Sequence, residues 1–166
     1  MIHGLLERLA RLIDRLSTLG GWIAAGAVAA IVVFVTVEIL ARTLLGKSTQ
    51  ISDELCGYLN VTILFLGMAM SLRDGANVRV EVFYERLRGT AALLVRWLIV
   101  LASLAYTAIA TAILIRYLAY SYNRGLVSTT IAQTPLWIPQ TIMVAGSVLL
   151  VLQLAAFLLR GGRTVP

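Results

Sequence analysis

The stretch GGWIAAGAVAAIVVFVTV, residues 20–37, decides the fold. It carries no charge, and its apolar character runs on to Leu45 past only Glu38 and Arg42. A helix rises about 1.5 Å per residue, so roughly 20 apolar residues cross a hydrocarbon core about 30 Å thick. The run is too long for the apolar core of a signal peptide and follows an amphipathic segment, so it reads as a retained span.

Working outward, the same pattern recurs. After a short polar turn at residues 46–52, a second apolar stretch runs from about Asp53 to Leu72. Ser52 reads as its N-cap, with Asp53 and Glu54 where a helix start favours negative charge. A third span is expected at 97–119, free of charge from Leu98 to Ile115. A polar loop, 121–133, leads to Thr134-Pro135, a threonine cap followed by proline at the first helical position. The fourth span then runs over 135–159. Pro139 lies one turn in, where a missing N–H costs little.

Two further segments alternate apolar and charged residues at helical spacing. In residues 1–18, Leu5, Leu9, Leu12 and Leu16 share one stripe while Glu7, Arg8, Arg11, Asp14 and Arg15 fill the other face. In residues 78–88, Val80, Phe83, Tyr84 and Leu87 oppose Arg79, Glu81, Glu85, Arg86 and Arg88. Both are too charged to span and are expected to lie in the membrane interface, with Arg8, Arg11, Arg15, Arg79, Arg86 and Arg88 reaching lipid phosphates. A soluble helix against a partner subunit is the alternative for the first. For the second, Val78 to Val82 also alternates like a strand, but an isolated strand at a membrane leaves its backbone unpaired.

Composition agrees. Apolar residues make up 60% of the 166 and charged residues 13%, so the bilayer is the expected solvent. The net charge of +6 sits in a chain with no basic groove and interleaved aromatics, which sets nucleic acid aside. The one cysteine, Cys56, excludes an intrachain disulfide. The one histidine, His3, lies outside every span, which argues against a haem-bearing anchor. The expected fold is an all-α integral membrane protein: four transmembrane helices plus two interfacial amphipathic helices.

Charge orients it. Arg8, Arg11, Arg15, Arg73, Arg79, Arg86, Arg88, Arg96, Arg160 and Arg163 fall on one side; Arg42, Lys47, Arg116 and Arg124 fall on the other. The positive-inside rule then puts both termini, including the tail 161–166, in the cytoplasm. Trp22 and Trp97 would anchor the inner interface, and Trp137, Tyr117, Tyr120 and Tyr122 the outer one.

Glu38 and Arg42 sit four apart, close enough to meet, and an ionisable pair within a span is a functional candidate. It reads as an internal ion pair, as a subunit contact, or as a proton-coupling site. Asp53 and Glu54 read as a charged helix start or as a docking site for a basic partner. Gly26 with Ala30, and Gly57 with Gly67, are candidate helix-packing positions. No nucleophile, base and orienting group cluster, no metal-ligand spacing occurs, and no span carries a mid-membrane Gly/Pro break of the kind that builds a transport site. An enzyme is not expected, nor a self-contained pathway.

The order of features resembles the small membrane subunit, the DctQ-like or Q component, of a tripartite ATP-independent periplasmic (TRAP) transporter. The resemblance covers roughly residues 20–160. It rests on Arg42, Gly46-Lys47-Ser48, Ser52-Asp53-Glu54-Leu55, Phe65-Leu66-Gly67-Met68-Ala69, Asp74-Gly75-Ala76-Asn77-Val78-Arg79-Val80-Glu81, and Thr134-Pro135-Leu136-Trp137-Ile138-Pro139 before Gly146. Departures are Ile51 where the family often has tryptophan, Asn77 where it often has histidine, and Glu81 where it has aspartate. The resemblance implies a multi-pass protein of the bacterial cytoplasmic (inner) membrane. It implies a periplasmic binding protein that delivers an organic acid, and a large permease (M) subunit that carries the sodium and substrate sites and works as an elevator. This chain would carry no cofactor of its own. It would brace the large subunit's static scaffold, with Asp53, Glu54 and the loop 121–133 available to the binding protein. Two other readings stay open: a small four-span proton-coupled exporter using Glu38, and a non-haem anchor of a membrane enzyme complex.

Overall fold

The computed structural model describes residues 2–46, 51–74 and 90–159. Four helices account for nearly all of them: α1 (Ile2–Leu45), α2 (Ser52–Arg73), α3 (Thr90–Arg124) and α4 (Trp137–Leu159). Each is long and apolar enough to cross a membrane, and the described residues contain no strand. The four run alternately up and down. α4 packs against all three others, α1 and α2 pack on each other, and α3 leans on α4.

Small residues make these contacts close. Along α1, Ala10, Ser17 and Ala24 are buried, Ile31 is half-buried and Glu38 is buried. That seven-residue spacing keeps one seam facing α2 and α4, as in a left-handed bundle. Ala24 meets Gly67 of α2, and Gly20 meets the Leu66 backbone. Gly146 of α4 lies so close to α2 that a Cβ there would sit 2.6 Å from the Phe65 carbonyl carbon. Gly26 and Gly57, by contrast, have open space around them.

The structure differs from the sequence reading at several boundaries. The break expected near residue 18 is absent: α1 is one helix of 44 residues, about 66 Å long. Nothing in Ser17-Thr18-Leu19-Gly20-Gly21 interrupts the backbone ladder, and the Thr18 hydroxyl donates to the Asp14 carbonyl at 2.7 Å without disturbing it. α3 starts seven residues before Trp97 and continues to Arg124, where Gly125 (φ +58°) closes it. The Gly125 N–H donates to the Tyr122 carbonyl and the Leu126 N–H to the Ser121 carbonyl, the paired bonds of a Schellman cap. α4 begins at Trp137, two residues later than expected. The Thr134 carbonyl accepts from the Ser128 N–H, and Pro135 bridges to Val127, so both belong to the loop. Pro139 then falls in the first turn, where its missing N–H leaves no bond unmade. The interfacial helix expected at 78–88 and the tail 161–166 lie outside the described residues.

Candidate functional site

Polar side chains gather at the two ends of the bundle, and several hydroxyls in between are bonded to their own helices. At one end Glu38 of α1 is buried, and Arg42 one turn on donates from Nε to Glu38 Oε1 at 2.7 Å. Ser52, the first residue of α2, donates from Oγ to Glu38 Oε2 at 3.2 Å. The serine therefore ties α2 to α1 and does not act as the expected N-cap. Ile51 holds that position with no side-chain cap bond. Arg42 itself is 55% exposed, so this is an ion pair with one partner buried and the other wet.

Asp53 and Glu54, adjacent in sequence, separate in role. Asp53 is exposed. Glu54 accepts a hydrogen bond from the Tyr58 hydroxyl at 2.5 Å and a second, on its other oxygen, from the Thr130 hydroxyl. Thr130 sits in the loop joining α3 to α4. That loop is pinned by Ser128 N–H to Thr134 and Leu136 N–H to Leu126, and Ser128 and Thr130 share a hydroxyl contact at 2.9 Å. Glu54 is thus the post to which the loop is tied. Beside the loop, Tyr122 stands edge-on to Trp137 at 6.1 Å, and the Arg124 guanidinium covers Tyr120 at 5.2 Å. Ser121 Oγ and Gln140 Oε1, buried at this end of α3 and α4, have no hydrogen-bond partner among the described residues.

The other end holds a network that the sequence reading missed. Gln153 of α4, almost fully buried, donates from Nε2 to Asp14 Oδ1 at 3.1 Å and accepts from the Ser17 hydroxyl at 3.3 Å. Arg73, the last residue of α2, donates to the Thr18 hydroxyl and to the Asp14 carbonyl, and its Nε meets Asp74 at 2.9 Å. Asp14 belongs by spacing to the polar face of the first segment, yet it turns into the bundle. Arg8, Arg11 and Arg15 are exposed, as are Leu9, Leu12 and Leu16, while Ala10 is buried. Arg79, Arg86 and Arg88 lie outside the described residues.

From Ser17 to Glu38 is 21 residues along α1, about 32 Å, close to the thickness of a hydrocarbon core. Between these two clasps, the hydroxyls of Thr36, Thr62, Thr107, Thr111 and Ser147 each donate to a carbonyl of their own helix. Such groups offer nothing to a passing solute. No group of three His, Cys, Asp or Glu residues that could hold a metal occurs among the described residues. An open groove between α3 and α4 is lined mainly by Ile115, Leu118, Ala119, Tyr122 and Trp137, and is overwhelmingly apolar.

Residues 31–164 match the family model described as tripartite ATP-independent periplasmic transporters, DctQ component. No curated protein matches the sequence.

Proposed function

The chain belongs to the DctQ-component family of tripartite ATP-independent periplasmic transporters, and from that premise we propose that it braces the large permease subunit during sodium-driven uptake of an organic acid. Membership makes it the small membrane subunit of such a transporter, a family of transport subunits and not of enzymes. The observation that carries the bracing role is the state of its polar groups. One clasp fixes α1 to α2 at the Glu38 end, a second fixes α1 to both α2 and α4 at the other, and the buried hydroxyls of Thr62, Thr111 and Ser147 between them are turned back on their own helices. A chain so arranged resists shear between its helices while a neighbour moves. Sodium and substrate belong on the large subunit, and the substrate reaches it from a periplasmic binding protein.

In this reading both termini are cytoplasmic. The Glu38 end faces the periplasm, where exposed Asp53 and the loop held by Glu54 meet the binding protein. Arg8, Arg11, Arg15, Arg79, Arg86 and Arg88 contact lipid headgroups at the cytoplasmic interface. The exporter alternative is disfavoured by Glu38, whose two carboxylate oxygens are both engaged and which lies at the end of the span.

Reconstitution tests the proposal. Proteoliposomes holding the large subunit and binding protein should take up substrate down a sodium gradient only when this chain is present. Full uptake without it would overturn the bracing role, and drug export by this chain alone, lost in Glu38→Gln, would favour the exporter.

A further inference from the structure

α2 buries one side against α1 and α4 and leaves a stripe uncovered: Gly57, Asn60, Leu64, Met68 and Ser71 are exposed, three or four residues apart. Asn60 is the residue of interest. It stands six residues below Glu54 and thirteen above Arg73, or about 9 Å and 20 Å from the charged ends of the helix. Its short side chain reaches neither headgroup region, and its amide makes no hydrogen bond with any described residue. Hydrocarbon tails supply no donor or acceptor, so an amide at this depth is left with two donors and an acceptor unmet.

The second observation is steric. One turn above Asn60, Gly57 has no atom within 4 Å of where a Cβ would be, so the stripe is thin beside its polar group. A thin helix face next to an amide is the arrangement by which membrane helices associate, since the backbones approach closely and the polar group finds a partner across the contact. The glycines that serve contacts inside the bundle, Gly20 and Gly146, are already filled by α2, which leaves Gly57 without a role there.

We propose that this face of α2 docks a membrane-spanning helix of the large permease subunit, and that the docked helix presents a polar side chain or a backbone carbonyl to Asn60. The inference rests on the family reading above and adds the face by which this chain is held. Lipid is the weaker occupant because it cannot answer the amide.

The test uses the co-expressed complex with both subunits tagged. A photo-crosslinking phenylalanine derivative at Leu64 or Met68 should capture the large subunit; the same probe at Val33 of α1 or Ile113 of α3, exposed on other faces, should not. Asn60→Leu should lower recovery of the complex by about 3- to 10-fold. It should leave the melting temperature of the isolated chain unchanged or raised, because in the isolated chain the amide has no partner to lose. Capture of a second copy of this chain, or of another part of the same chain, would overturn the assignment. So would a lowered melting temperature for Asn60→Leu, which would make the residue structural. Capture of the large subunit from Val33 or Ile113 alone would move the face and leave the family reading intact. Failure of the unaltered chain to co-purify with the large subunit would instead remove the reading on which the proposal rests.

Discussion

Replacing Gly146 by alanine adds a single methyl group where α4 crosses α2. The new Cβ would lie 2.6 Å from the Phe65 carbonyl carbon and oxygen and 2.7 Å from the Phe65 Cβ. Carbon atoms in contact rest about 3.5–4.0 Å apart, so the overlap is about 1 Å. Two of the three obstructing atoms are backbone and cannot rotate away. The helices must therefore separate by about an ångström at their closest point, which loosens the contacts of Leu66 and Ala69 nearby. Overpacking of this kind costs about 1–3 kcal/mol, and the backbone clash puts it near the top of that range. The better helix propensity of alanine returns up to about 1 kcal/mol. The net loss of about 2 kcal/mol corresponds to a melting temperature about 4–8 °C lower for a chain of this size. Thermal unfolding of the detergent-solubilised chain measures it, with Gly26→Ala as the comparison. Gly26 has nothing within 4 Å, so its alanine variant should melt at or slightly above the parent. If Gly146→Ala melts within a degree of the parent, or if both substitutions lower the midpoint equally, the close α2–α4 crossing is refuted.

Three further perturbations probe the clasps. Arg42→Gln should lower the melting temperature more than Glu38→Gln, because the first takes the cation from a buried carboxylate while the second leaves an arginine that is 55% exposed; the double substitution should recover part of the loss. Gln153→Leu removes the amide between Asp14 and Ser17 and should cost about 1–3 kcal/mol, read as a lower unfolding midpoint. Glu54→Ala frees Thr130 and Tyr58, so the loop at 125–136 should be cut faster by a protease added to the detergent-solubilised chain, with the global midpoint almost unmoved.

The spans were legible because each is a charge-free apolar run, and length alone separates such a run from a soluble helix. Glu38 and Arg42 were legible because pairs four apart on a helix meet regardless of tertiary context. The Asp14 clasp was not. Its members are 59 and 139 residues apart in sequence, and local periodicity cannot say which charged residue of an amphipathic segment turns inward. One signal was available: Gln153 is a lone amide in the run Val151-Leu152-Gln153-Leu154, and an amide at that depth requires a partner. The glycines misled for a related reason. Gly26 with Ala30 fits the small-xxx-small spacing, yet Gly26 is open, while Gly146 takes the tight contact. Spacing along one helix says nothing about which helix lies opposite. Ser52 and Thr134 fit the cap pattern by position, but the Ser52 hydroxyl reaches Glu38 across to α1, and Thr134 falls short of the helix start, its carbonyl paired with the Ser128 N–H in the loop.

The distribution of spent and unspent polar groups bears on the proposed bracing role. A translocation path through a membrane protein needs side chains whose hydrogen-bonding capacity is available to a solute, held where water is scarce. The buried hydroxyls of Thr62, Thr111 and Ser147 face inward at such depths but have each been returned to a carbonyl three or four residues back. The ionisable groups are drawn off to the ends, where each clasp joins different helices: α1 to α2 through Glu38 and Ser52, and α1 to both α4 and α2 through Asp14, Gln153 and Arg73. Sliding α1 along its neighbours by one helical turn would break both clasps at once, parting Glu38 from Ser52 and Gln153 from Asp14 and Ser17. That penalty rises steeply with displacement and involves no mobile loop. Asn60 follows the opposite rule, being unspent and turned outward, and an outward amide at that depth costs the isolated chain what association can return. Rigid within and unsatisfied on one face, the bundle suits a fixed attachment to a neighbour that moves.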